Sequence, residues 1–329
     1  PNGRQVAFVS MDKLYVMDYP SGTPRRLTAT EASEAQPAWS HNGNSIAFVT
    51  WTKEGGQLYT VPAAGGEPVQ ITQSRAMYTQ PAWSLDDSRI VLVRAPAQPV
   101  LEDGGFNGAA ELVWVSAAAG AAAGAAGGAA AGAVTLIAPS NGRSNPHFAT
   151  DSSRIYLYGG GTGLVSIRWD GTDERTHLKI TGARGPEATA AAPALAAKLA
   201  PTGDNILVQV ANDIFVVPLI ETGDTPTINL ATPDNAEVPA RRITEVGGQF
   251  PAWSADGKRV HYSIGNAHFV YDLDRARQVD DSVAAARAAA PAPAPAAGDS
   301  AAARTTRYDP VETRIILRAP RDIPQGTSV

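Results

Sequence analysis

Short runs of β-branched, aliphatic and aromatic residues punctuate this chain, each bounded by turn-forming residues. One series comprises Ser45-Ile-Ala-Phe-Val-Thr50, Arg89-Ile-Val-Leu-Val-Arg94 and Arg259-Val-His-Tyr-Ser-Ile264, each directly after a tight turn. A second series follows it: Lys13 to Asp18, Gln57 to Val61, Glu111 to Val115, Gly163 to Ile167, Asp213 to Val217 and Ala267 to Tyr271. A third is shorter and begins on polar residues, at Arg25–Thr28, Val69–Thr72, Val134–Ile137, His177–Ile180 and Arg241–Thr244. Runs of this length with a period of two predict β-strands, not helices.

The strands belong to a repeat. Gln36-Pro-Ala-Trp-Ser40 recurs as Gln80-Pro-Ala-Trp-Ser84 and Phe250-Pro-Ala-Trp-Ser254, with weaker copies at Asn145-Pro-His-Phe-Ala149 and Ala196-Ala-Lys-Leu-Ala200. A turn follows every copy: His41-Asn-Gly43, Leu85-Asp-Asp87, Asp151-Ser-Ser153, Pro201-Thr-Gly203 and Ala255-Asp-Gly257. Asn, Asp and Gly tolerate the positive φ that such hairpins require. Trp39 and Trp83 are 44 residues apart, near the length of one four-stranded propeller blade. Longer intervals further along hold insertions. Second strands start at Gln5, Ser45, Arg89, Arg154, Asn205 and Arg259, which gives six units. Six four-stranded units in series bury both sheet faces by packing on one another around an axis. The expected fold is therefore all-β: a six-bladed β-propeller with four-stranded antiparallel blades. The repeat residues Trp39, Gly43, Trp83, Asp87, Phe148, Trp253, Asp256 and Gly257 are expected to be structural, with the aromatic residue filling space between blades.

Composition agrees. Gly and Pro number 31 and 25 in 329 residues, a turn-rich pattern, and 43% hydrophobic against 18% charged residues fits a globular chain. The net charge of −5 gives no general basis for binding nucleic acid. With no cysteine, disulfides and thiolate metal sites are excluded. No run is long enough to span a bilayer as a helix.

The chemical inventory is sparse. No Gly-x-Ser-x-Gly run is present, and the five histidines form no His-x-His pair. His261 and His268 lie on successive strands of one blade and could approach, although the ordinary expectation turns one to the sheet and the other to the surface. Glu102-Asp103, in a Gly-rich insertion, reads as a solvated pair. Gly159-Gly-Gly-Thr-Gly163 lacks the Lys and helix of a phosphate loop and reads as a hairpin turn. No catalytic, cofactor-binding or metal-binding residue is assigned in this chain.

Pro-Ala-Trp-Ser, then an Asx/Gly turn, then an Ile-Ala-Phe-Val strand resembles the TolB-type propeller repeat, over nearly the whole chain. Such repeats occur in periplasmic TolB, in prolyl-oligopeptidase-like peptidases and before amidohydrolase domains. Tyr308-Asp-Pro-Val-Glu312, Ile315-Ile-Leu317 and Pro320 to Thr327 look like the junction of a propeller-amidohydrolase fusion. That resemblance implies a scaffold or substrate-gating propeller of a secreted or envelope hydrolase. Its downstream catalytic domain, holding zinc or a similar divalent metal, would lie outside this chain. The alternative it implies is a TolB-like periplasmic interaction module that docks another envelope protein without catalysis.

Residues 1–280 are expected to form the propeller, 281–306 an Ala/Pro-rich linker or loop, and 307–329 a closing strand and junction. The all Ala/Gly stretch 117–133 and the Ala-rich stretch 283–303 read as surface loops. Pro1-Asn-Gly3 reads as the turn after a first strand, so the first blade is expected to lack its innermost strand within this chain. Thr313–Arg318 could close the ring there, or serve as the fourth strand of the last blade, a role for which Arg277-Gln-Val279 competes.

Overall fold

A computed structural model of the chain describes residues 2–97, 110–118, 132–182, 191–220, 223–231, 236, 238–289 and 307–317. Six sheets follow one another in chain order. Blade 1 is β1 (Gln5–Ser10), β2 (Lys13–Asp18) and β3 (Arg25–Arg26). Blade 2 is β4 (Ser33–Trp39), β5 (Ser45–Thr52), β6 (Gly55–Pro62) and β7 (Val69–Gln70), and blade 3 is β8 (Met77–Trp83), β9 (Arg89–Ala95), β10 (Glu111–Ser116) and β11 (Thr135–Pro139). Blade 4 comprises β12 (Ser144–His147), β13 (Arg154–Gly159), β14 (Gly163–Arg168) and β15 (Arg175–Thr181). In blade 5, β16 (Ala196–Leu199), β17 (Asn205–Val210) and β18 (Asp213–Pro218) precede β19 (Thr227–Asn229) and β20 (Arg241–Arg242). Blade 6 is β21 (Gln249–Trp253), β22 (Arg259–Ile264), β23 (Ala267–Asp272) and β24 (Val311–Arg314).

The meander that builds each blade is antiparallel, so both the β-hairpin between second and third strands and the link to the next blade fall at one end of the ring. Among the described residues the first blade has three strands, as expected. Two features were not expected. The connection between β18 and β20 sends β19 to pair in parallel with β15, adding a fifth strand to the outer edge of blade 4. The chain leaving β23 forms a helix, α1 (Leu273–Ala289), which covers Arg277–Val279 and the start of the expected linker. Its sequence explains this: Asp272 Oδ1 accepts the Arg275 N–H at 3.0 Å as an N-cap, and the Ala, Arg and Gln content favours helix. Leu273 and Ala276 bury the first turn against blade 6. The fourth strand of blade 6 is β24, whose Val311–Arg314 register opposes Val270–Ala267. Residues 290–306 and 318–329, and with them the proposed junction beyond Leu317, lie outside the described residues, as do Glu102-Asp103 and most of the 117–133 stretch.

Alternation places the core between blades, not within them. In β5, Ile46 and Phe48 pack toward blade 1 while Ala47 and Val49 pack toward blade 3. The same division recurs in β9 and β13. Turn glycines are held by the backbone: Gly163, with φ +88°, opens β14 where an added Cβ would lie 2.2 Å from the Leu178 carbonyl oxygen.

Candidate functional site

The repeat residues tie several of the blades to their neighbours. Trp83 Nε1 donates to the Ala38 carbonyl of blade 2 at 2.9 Å, and Trp253 Nε1 donates to the Lys198 carbonyl of blade 5 at 2.9 Å. Trp39 packs half-buried on the cluster between blades 1 and 2. Phe148, buried, stacks on Trp169 with ring centroids 5.5 Å apart. The Trp-Ser pair has its own turn chemistry. Ser40, Ser84 and Ser254 each accept the N–H of the residue five places on, and each hydroxyl donates to the side chain two places on. The acceptors are Asn42, Asp86 and Asp256. Hydrogen bonds from Ser84 and Ser88 lower the Asp86 carboxyl to about 2. Gly43 and Gly257 supply positive φ in the same turns, at +73° and +66°. Asp87 does more than turn the chain: its carboxylate accepts the backbone N–H groups of His41 and Asn42 in blade 2.

A second ladder lines the inner strands. Gln36, Gln80, Asn145 and Phe250 all have φ between +52° and +56°, each at a β-bulge that the following Pro accommodates. Gln36 Oε1 accepts the Gln80 N–H at 2.6 Å, and Gln80 Oε1 accepts the Asn145 N–H at 2.7 Å. Amide side chains thus step from blade to blade. Phe250 occupies the same place in blade 6 and is 79% exposed.

Ionisable groups inside the ring are held by structural bonds. Glu34, 1% exposed, accepts the Leu14 N–H at 2.6 Å and the hydroxyls of Thr28 and Thr30. In blades 2 and 5, Thr72 and Thr244 supply the oxygen for the equivalent N–H groups of Leu58 and Ile214. His147 Nδ1–H donates to its own strand's Asn145 carbonyl at 2.8 Å while Nε2 accepts the Leu199 N–H of blade 5 at 2.9 Å. Both partners demand the neutral ring. Burial, with some help from the Lys198 charge, pulls its pKa down to about 4 against the opposing Asn145 carbonyl.

One arrangement has the form of a nucleophile and base. Ser166 Oγ lies 2.7 Å from His177 Nε2 on the neighbouring strand. Ser166 is fully buried, however, and its oxygen also accepts from Arg154 Nε at 2.8 Å. A hydroxyl so enclosed, with a cation drawing on its lone pair, is a linker between Arg154 and His177 rather than a reacting group. Asp173 completes this network, held well below the usual carboxylate range by Arg154, Arg175 and Arg168. The sequence offered no sign of it, because Ser166, His177 and Arg154 are brought together only by strand register.

His261 and His268 do meet, contrary to the expectation that they face opposite ways. Their Nδ1 and Nε2 atoms are 3.2 Å apart and the rings stack at 5.3 Å. Register is the reason: Ser263 opposes His268, so His261 lies diagonally from it on the same face. Gly159–Gly163 is a hairpin turn between β13 and β14, as read from sequence. Among the described residues, no group of three or more His, Asp or Glu converges as a metal ion would need. None of the described helices is long and apolar enough to cross a membrane.

The feature with the character of a binding surface lies at the end of the ring that carries the hairpins between second and third strands. Met11, Trp51, Leu195, Val246, Phe250 and Ile264 are all exposed there, along an arc from blade 5 through blades 6 and 1 to blade 2. Val246 is 85% exposed.

Together, the six consecutive sheets, the inter-blade Trp bonds and the core placed between blades make this an all-β, six-bladed propeller of TolB-like type. Residues 1–102 match the family model described as the TolB beta propeller domain. No curated protein matches the chain. Among solved structures, TolB from Acinetobacter baumannii is 15% identical with a TM-score of 0.56, over 83% of this chain and 63% of that one. The hydrazine synthase of Kuenenia stuttgartiensis is 13% identical with a TM-score of 0.53, over 80% of this chain and 40% of that one. An oligogalacturonate lyase in complex with manganese is 15% identical with a TM-score of 0.52, over 83% and 72%. At these identities the likeness is one of fold. The chain spans less than two thirds of the length of the TolB it matches.

Proposed function

We propose that this propeller is a TolB-like interaction module of the bacterial envelope, which docks a protein partner on the apolar arc at one end of the ring. The observation that supports this is the arc itself. Large apolar side chains exposed together on one face of a soluble domain are the usual mark of an association surface. Glu34 and His147 meanwhile serve bonds between blades, and His177 serves one within blade 4. The test is affinity capture from an envelope extract with the wild-type chain and with a Val246→Asp/Phe250→Asp variant. Both residues are exposed, so the variant is expected to unfold within about 0.5 kcal/mol of wild type. A partner held by the wild type and lost by the variant is the expected result. Identical capture by both proteins contradicts the reading.

A second reading rests on the tail, Tyr308 to Thr327. In that reading the propeller is the scaffold or substrate gate of a secreted or envelope amidohydrolase, whose zinc-type metal centre sits in a catalytic domain downstream. The residues that follow Val329 decide between the two: a metallohydrolase domain there supports the second reading, and its absence removes it.

A further inference from the structure

The third strand of every blade carries one side chain at the same register position, facing the next blade. Opposite Val9, Val49, Val93, Tyr158 and Gln209 stand Leu14, Leu58, Leu112, Leu164 and Ile214. All five are buried and aliphatic. In blade 6 the position opposite Ser263 is His268. At the diagonal position blades 1, 2, 3 and 5 place Ala7, Ala47, Val91 and Leu207 and blade 4 places Tyr156, where blade 6 has His261. Blade 6 therefore turns a pair of imidazoles, not a pair of apolar side chains, toward blade 1. The opposing face is β2, which turns Leu14 and Val16 to blade 2 and so presents Tyr15 and Met17 to blade 6. Tyr19, just past the end of β2, sets its ring edge-on to His268 at 5.6 Å.

We propose that the junction between blades 6 and 1 is an acid-sensitive latch, in which protonation of the His261–His268 pair loosens this interface while the aliphatic interfaces among blades 1 to 3 stay closed. While neutral, the pair satisfies itself, one ring N–H donating to the other ring nitrogen at 3.2 Å. An added proton places a cation in a seam where the Tyr19 ring of blade 1 packs against His268. Burial disfavours the charged form of both rings and pulls His261 down to about 4. Their mutual repulsion and Arg259 act on His261 in the same sense, and Asp256 opposes them. Tyr19 of blade 1 is a titratable group that faces His268, with its ring perpendicular to the imidazole. The sign follows: free imidazoles bind protons near pH 6.5 and the latched pair does so only at lower pH, so closure is lost as pH falls from about 6.5 toward 4. His147 is also held down by burial, but it lies between blades 4 and 5 and is fixed by two backbone bonds.

Hydrogen exchange at pH 7.5 and pH 5.0, corrected for the intrinsic chemical rate, reads this directly. Amides of β1, β2, β22 and β23 are expected to lose protection by about tenfold at the lower pH, with β8 to β10 changing by less than about twofold. In a His261→Leu/His268→Leu variant, which gives blade 6 the chemistry of the other blades, the loss is expected to vanish. An equal loss in the variant, or one spread evenly over all blades, overturns the proposal. Should the variant fail to fold, titration of the wild-type imidazole C–H signals serves instead: midpoints well below 6.5 for both rings support the latch, and ordinary midpoints overturn it.

Discussion

Replacing Trp83 by alanine is expected to lower the unfolding free energy by about 4 kcal/mol, as for other large aromatic side chains removed from a core. Trp83 is 6% exposed and lies within the cluster that blades 2 and 3 share, among Ala47, Val49, Ile90 and Leu92. Its removal opens a cavity at the junction and also leaves the Ala38 carbonyl without its indole donor. Trp83→Phe separates the two contributions. It keeps most of the apolar contact and loses the hydrogen bond, so about 1–2 kcal/mol is expected. Urea unfolding followed by far-UV circular dichroism gives both values. A cost below about 1 kcal/mol for Trp83→Ala would mean that the aromatic residue is not the spacer between blades.

Glu34→Ala is the second change with a large expected effect, about 3 kcal/mol. The carboxylate on β4 is the acceptor for a backbone N–H of blade 1 and for two hydroxyls. Alanine leaves the Leu14 N–H and the Thr28 hydroxyl buried without this acceptor, takes it from the half-buried Thr30 hydroxyl, and removes a side-chain tie between β4 and β2. Glu34→Gln retains one oxygen in the same place, and about 1 kcal/mol is expected. Equal losses for the two substitutions would show that side-chain shape, not the acceptor oxygens, carries the effect. The same urea experiment distinguishes them.

How much of this was legible in the sequence varied with how local each cause is. Trp39, Trp83 and Trp253 announce the repeat because an inner strand, a turn and a second strand all sit within a dozen residues of each. Blade 5 was legible from Leu199 and Pro201-Thr-Gly203 even without an aromatic residue. The parallel pairing of β19 with β15 was not, since Thr-Ile-Asn has no strand period of its own and its partner lies far back in the chain. The helix α1 was hidden by composition: an Ala-rich stretch reads as linker, and the cap that starts the helix is a single Asp272 at the end of a strand. The His261–His268 pair was within reach. A two-residue turn at Gly265-Asn266 fixes Ile264 opposite Ala267, and counting back puts both rings on one face. The Ser166–His177–Arg154 network depends on an irregularity in the β14–β15 register, between Leu164 and Val165, which no sequence pattern marks.

Six consecutive blades close into a ring, with blade 6 seated against blade 1. Because the chain has no cysteine, pairs of introduced cysteines can be spin-labelled without removing any native residue. Met11, Gly161 and Ile264 are exposed and lie at or beside the same hairpin in blades 1, 4 and 6. Electron–electron dipolar distances should then be shorter for Met11→Cys/Ile264→Cys, in neighbouring blades, than for Met11→Cys/Gly161→Cys, across the ring. If the 11–264 distance is instead the longer of the two, the blades run on as an open array and the ring is wrong.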